Sequence, residues 1–163
     1  MKKRILSLLV VNSSGVLSRV SGMFSRRGYN IDSLTVGVTE DPKYSRITVV
    51  ASGDDRTLDQ IEKQLYKLEE VIQVAELEDG DSVCRELVLI KVQAKKEEKQ
   101  QIIAVADVFR AKIVDVAVES LMIELTGSMS KVDAFLKLLD GFHVLSVVRT
   151  GITGLPRGNY SDK

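Results

Sequence analysis

The hydrophobic positions of this chain pass through strand, helix, strand, strand, helix and strand periods, and about eighty residues on they pass through the same order again. Each pass is a complete β-α-β-β-α-β unit of the ferredoxin-like kind, so the repeat leaves few architectures available. In the first pass, residues 4–11 are a nearly unbroken apolar run, as expected of a strand at the centre of a sheet and paired along both edges. From Gly15 the spacing turns helical, with Val16, Leu17, Val20, Met23 and Phe24 on one stripe, and Gly28 supplies a left-handed stop. A second strip, Ser18, Ser21, Gly22 and Ser25, stays small. Gly22 in mid-helix costs about 1 kcal/mol relative to Ala, and close packing is the expected reason for it. Leu34, Val36 and Val38 alternate as a second strand, and residues 40–43 turn into a third over 45–51. Asp54 or Asp55 caps a helix whose apolar positions are Leu58, Ile61, Leu65 and Leu68, and residues 71–77 return to strand composition.

The stretch Glu78-Asp79-Gly80-Asp81-Ser82 is short, polar and acidic, and the domain boundary is expected there, giving domains over 4–78 and 83–163. The second pass predicts a strand over 85–94, a helix over 96–109, strands over 112–118 and 121–126, a helix over 130–140 and a strand over 142–148. Ser130-x-x-Asp133 has the form of a capping box for the last helix. The expected fold class is α+β, two consecutive ferredoxin-like units.

Hydrophobic residues make up 44% of 163, enough for a core, and a chain of this size buries roughly two thirds of its extended surface. Lys plus Arg and Asp plus Glu both total 23, so no global field gathers phosphate backbones or anionic lipids, and neither nucleic acid nor membrane is the expected partner. No apolar run approaches the roughly twenty residues that cross a bilayer, and Met1 to Ser7 lead into a strand without a cleavage-like site. The expected setting is cytoplasmic. Cys84, the single cysteine, agrees with a reducing compartment.

Little here supports catalysis. His143 is the lone histidine, in a predicted strand, and reads as a packed or edge residue; Cys84 reads as a small apolar one. No His/Cys cluster has metal spacing, and neither a Walker nor a dinucleotide glycine pattern is present. RNA modules of this topology stack bases on strand aromatics, and residues 46–51 contain none. The mixed run Lys95 to Lys99 reads as a solvated helix face.

The stretch with chemical content is Val11-Asn12-Ser13-Ser14-Gly15-Val16-Leu17, where a strand ends and a helix opens. The first N–H groups of a helix lack intrahelical partners and sit at the positive end of its dipole, so the corner suits a small carboxylate. The alternative is that Ser13 or Ser14 simply caps the helix. Downstream, Tyr29-Asn30-Ile31 brings another side-chain amide to a strand start. The matching corner of the second pass reads Ala94-Lys95-Lys96-Glu97-Glu98, whose acids satisfy the dipole and repel an anion, so only the first unit is expected to bind one. The second is expected to serve association.

Three stretches carry a resemblance: Arg4-Ile5-Leu6-Ser7; Asn12-Ser13-Ser14-Gly15-Val16-Leu17-Ser18-Arg19-Val20; and Phe24-Ser25-Arg26-Arg27-Gly28-Tyr29-Asn30-Ile31-Asp32-Ser33-Leu34-Thr35-Val36. Together they resemble the ACT domain of the small regulatory subunit of acetolactate synthase (acetohydroxyacid synthase). Gln60 to Leu68, Arg85-Glu86-Leu87, Arg149-Thr150-Gly151-Ile152 and Gly154-Leu155-Pro156-Arg157-Gly158 extend the likeness to nearly the whole chain. The resemblance implies a homodimer that has no active site or cofactor of its own. It also implies that the chain binds the catalytic large subunit, raises its activity and confers feedback inhibition by valine or a related branched-chain amino acid. Thiamine diphosphate, Mg and FAD would belong to the large subunit. The implied effector site lies between two subunits, with Asn12, Gly15, Val16 and Leu17 on the loop side and Asn30 with Ile31 on the other. In that site the N–H groups of Gly15 and Val16 hold the carboxylate, and the amides of Asn12 and Asn30 offer oxygens to the ammonium. A free-standing amino-acid-responsive regulator of gene expression is the second reading, although the chain carries no DNA-reading helix pair or basic arm. A stand-alone enzyme is the third.

Overall fold

The computed structural model describes residues 1–158. Its elements are β1 (Lys2–Val11), α1 (Val16–Arg27), β2 (Asn30–Val38), β3 (Tyr44–Gly53), α2 (Asp55–Tyr66), β4 (Val71–Glu76), β5 (Ser82–Gln93), α3 (Lys96–Val108), β6 (Lys112–Val116), β7 (Ser120–Gly127), α4 (Met129–Leu138), β8 (Val144–Arg149) and β9 (Thr153–Pro156). Two compact units result: Met1–Val83 with the segment from Ile152, and Cys84–Gly151. Each carries the predicted β-α-β-β-α-β order.

In the first unit the antiparallel sheet runs β2-β3-β1-β4. β1 is central, pairing with β3 from Lys2↔Gly53 to Val11↔Tyr44 and with β4 from Leu6↔Glu76 to Val10↔Val71. The alternation of a strand sends Leu6, Leu8 and Val10 into one core with Val20 and Phe24 of α1 and Ile61 of α2, all at most 1% exposed. Ser7 and its cross-strand partner Thr48 are buried on the opposite face. Gly28 ends α1 at φ +69°, as its position predicts, and the Asp54 carboxylate starts α2 by accepting the Thr57 N–H at 2.7 Å. In the second unit the order is β6-β7-β5-β8, and Val88, Ile90 and Val92 pack with Ile102, Ala106 and Phe135.

Several expectations are corrected. α4 is capped two residues earlier than predicted, by Ser128, whose hydroxyl accepts the Lys131 N–H at 3.3 Å; Asp133 pairs instead with Arg149 at 3.3 Å. β6 stops at Val116, and Val118 beyond it is exposed. β8 starts at Val144, so His143 precedes it, exposed, with Nδ1 2.9 Å from Gln93 Oε1. An added Cβ on Gly22 would meet only the tip of Arg26, at 3.2 Å, so close packing within the unit does not account for that glycine. The segment from Ile152, expected in the second domain, groups with the first unit. There the Ile152 side chain is 1% exposed, Thr35 Oγ1 donates to its carbonyl at 3.0 Å, and the Arg157 N–H donates to the Asp81 carbonyl at 2.8 Å. Periodicity carries no signal for contacts this far apart along the chain.

Candidate functional site

The corner between β1 and α1 is held by main-chain hydrogen bonds on both sides. The Val11 N–H donates to the Glu70 carbonyl at 2.9 Å and the Asn12 N–H to the Lys43 carbonyl at 2.8 Å. Asn12 adds its side chain, Nδ2 donating to the Pro42 carbonyl at 2.9 Å, which leaves Oδ1 as the unengaged end of that amide. The chain then enters the helix through Gly15 at φ +88°, ψ −10°. Residues with a Cβ disfavour that region, whereas glycine enters it freely. A Cβ there would lie 3.9 Å from the Arg19 guanidinium, an ordinary contact, so the position demands a backbone angle rather than space.

Gly15 itself is the N-cap, and no side chain caps α1. The capping alternative for Ser13 and Ser14 is therefore overturned: the left-handed turn at Gly15 puts the helix start beyond them. No acidic residue stands in the first turn of α1, so the positive end of the helix is not answered by a charge of its own. The matching corner differs. Glu97 and Glu98 stand in the first turn of α3, and Glu98 Oε1 accepts the Lys95 N–H at 3.2 Å.

Of the loop-side residues, Val16 is 4% exposed and packs in the core, so only its main chain is on offer, whereas Leu17 projects into solvent. Arg19 forms an ion pair through Nε with the Glu70 carboxylate, beside the β1–β4 link.

The other predicted side is distant. Asn30 is exposed at the start of β2, and Ile31 is half-buried against the core. Asn30 lies across from Ser52, which lies across from Lys3, whereas the glycine corner follows Val11. Eight residue steps along β1 separate these ends, about 27 Å at strand rise. Within one chain, Asn12, Gly15, Val16 and Leu17 come together and Asn30 with Ile31 does not join them. β2 is an edge strand, so its outer side has no strand neighbour in its own sheet.

Sequence reasoning passed over Asp32, next to Asn30. Its Oδ2 accepts the Ser52 hydroxyl at 2.5 Å, Lys3 Nζ lies 3.5 Å from the same oxygen, and Oδ1 is 3.5 Å from Asn30 Nδ2. A bulge between Ile31 and Ser33 sets it there. Ile31 and Leu34 both pack on the core, and a spacing of three cannot put two side chains on one face of a strand without an extra residue, a register that only the paired strands reveal.

Elsewhere, a shallow depression in the second unit is lined by Lys91, Gln93, Glu119, Ser120 and Leu145 among others. Among the described residues, no group of three or more His, Cys, Asp or Glu that could hold a metal ion occurs, and no helix is long and apolar enough to cross a membrane.

Two family models match, one described as an AHAS small subunit-like ACT domain over residues 6–73 and one as the small subunit of acetolactate synthase over residues 85–158. A probable acetolactate synthase small subunit of Methanothermobacter thermautotrophicus is 49% identical over 156 residues, 95% of this chain and 93% of that protein. The acetolactate synthase isozyme 3 small subunit of Salmonella typhimurium is 47% identical, over 96% of this chain and 97% of its own. The crystal structure of the acetolactate synthase small subunit from Thermotoga maritima superposes with a TM-score of 0.87 at 44% identity, covering 98% of this chain and all of that one.

Proposed function

Because the chain belongs to the acetolactate synthase small-subunit family, with an ACT domain in its first half, we propose that it is a feedback regulator working as a homodimer on a catalytic large subunit. It raises the turnover of that subunit and makes it sensitive to valine or another branched-chain amino acid. The effector carboxylate is held by the main-chain N–H groups of Gly15 and Val16, beside Leu17 of one copy, and the ammonium by the amide oxygens of Asn12 of that copy and of Asn30, beside Ile31, of the other. The effector unit is the first one, residues 4–78 with the segment from Ile152 grouped beside them, and the unit from Cys84 to Gly151 serves association. The setting is cytoplasmic, in keeping with a lone cysteine.

The observation that carries this reading is the separation of the two predicted halves. An uncapped helix start and the amide of Asn30 stand at opposite ends of one sheet, and an edge strand joined antiparallel to its copy would bring the end of one against the start of the other. A ligand bridging two copies also satisfies the energetic requirement for control. Equal affinity for two quaternary arrangements shifts nothing, whereas a ligand that touches both chains binds best where they sit correctly. Several hydrogen bonds of roughly 1 kcal/mol each, more when charged, together with an apolar slot give affinities of micromolar to millimolar order.

Thiamine diphosphate, magnesium and FAD are assigned in this reading to the catalytic subunit, and no step on this chain involves them. The test is acetolactate formation by the large subunit with and without this chain, titrated with valine, isoleucine and leucine. This chain alone gives no turnover; added to the large subunit it raises turnover and makes it inhibitable. Gly15→Asp sets a carboxylate beside Arg19 and the helix start, filling the anion site from within. It is expected to activate as wild type does and to lose inhibition. Inhibition curves coinciding with wild type would contradict the site.

A further inference from the structure

The start of β2 is chemically one-sided. Asn30 turns Nδ2 toward Asp32 Oδ1 at 3.5 Å, so its Oδ1 is the end left for a ligand. Asp32 is held by the Ser52 hydroxyl at 2.5 Å and by Lys3 at 3.5 Å, yet its side chain remains 23% exposed and within reach of solvent. At the glycine corner Asn12 has likewise engaged its Nδ2, with the Pro42 carbonyl at 2.9 Å. What these side chains hold out is therefore two amide oxygens and one carboxylate, all acceptors. An ammonium group, three donors with a positive charge, suits that lining; a carbonyl oxygen finds a donor there only by drawing Lys3 or Ser52 away from Asp32.

We infer that Asp32 is a specificity-determining residue of the effector site, its carboxylate acting with Asn30 Oδ1 to admit an amino acid and reject the 2-oxo acid of the same carbon skeleton. The inference rests on the shared site proposed above. The two ligands have the same carboxylate and the same branched side chain, so neither the helix start nor an apolar slot separates them. Only the groups facing C2 do. Because Asp32 is fixed by Ser52 and Lys3 before any ligand arrives, its charge is presented without reorganisation.

The test is calorimetric titration of the full-length chain with valine and with 3-methyl-2-oxobutanoate, for wild type, Asp32→Asn and Asp32→Glu. Wild type is expected to bind valine saturably and the oxo acid at least about a hundredfold more weakly, as sites built around a ligand's N–H reject analogues that lack it. Asp32→Asn is expected to weaken valine about tenfold while leaving the oxo acid unchanged or tighter, and Asp32→Glu to keep most of the discrimination. Oxo-acid binding to wild type within tenfold of valine, a comparison that needs no variant to fold, would overturn the inference. So would an unaltered valine to oxo-acid ratio in Asp32→Asn. Wild type that binds neither probe, nor leucine or isoleucine, would overturn the shared site itself, and the role of Asp32 with it.

Discussion

At the scale of single residues, the buried charge of the second unit is the most exposed to mutation. Glu86 has a side chain 3% exposed and pairs with Arg149, which also reaches Asp133 at 3.3 Å. Burial works against the Arg149 charge, but the hydrogen bond to Glu86 and the two nearby carboxylates outweigh it and hold the guanidinium above its ordinary pKa. Removing one partner of a buried pair leaves the other uncompensated, which costs more than the pair ever contributed. Arg149→Leu is expected to destabilise the chain by about 3 kcal/mol in urea unfolding. Asp133→Asn, at the solvated end of the same group, should stay within about 0.5 kcal/mol of wild type.

At the scale of elements, helix starts were legible to within a residue where the candidates were adjacent. Of Asp54 and Asp55, both offered by the sequence before a clear apolar stripe, Asp54 is the cap and Asp55 the first residue of α2. Ser128 and Ser130 compete for the start of α4, and the Ser-x-x-Asp spacing favours the wrong one, because Asp133 answers a cation on β8 that lies sixteen residues away. Ser128→Ala should cost about 1 kcal/mol by thermal unfolding and Ser130→Ala a few tenths at most; the reverse order would restore the sequence-based start. Between β1, α2 and β4, Arg4 gathers Asp59 at 3.0 Å, Glu62 at 3.6 Å and Glu76 at 3.4 Å. Burial pushes the Glu62 carboxyl above its ordinary 4.5 despite the pull of Arg4, with Glu76 and Asp59 adding to the rise. A carboxyl raised in the fold favours folding fully below the ordinary value, and that contribution is lost as pH rises through the raised one. Glu62→Gln is therefore expected to unfold at a higher temperature than wild type near pH 7 and at the same temperature near pH 4. A gap that widens toward acid would contradict this.

At the scale of the whole molecule, the doubled topology was readable because it follows from local periods: Leu6, Leu8 and Val10 alternate, Val16, Val20 and Phe24 recur by helical turns, and each pattern needs only its own neighbours. What was not readable depends on partners far along the chain. Ile152 belongs with the first unit because Thr35 holds its carbonyl, and Asp32 is turned toward Ser52 by a bulge whose register only the paired strands reveal. The candidate site is divided in the same way. Its glycine corner was legible as a motif, and the distance from that corner to Asn30 emerges only from the register of the sheet. The most direct measurement co-expresses a Gly15→Asp chain with an Asn30→Lys chain, each alone unable to bind valine, and counts valine sites in the mixture by calorimetry. A site shared between copies is intact once in every mixed dimer, so random pairing restores about a quarter of the wild-type stoichiometry. Mixed dimers verified by mass that bind no valine would show that each chain carries its site alone, and would contradict the account.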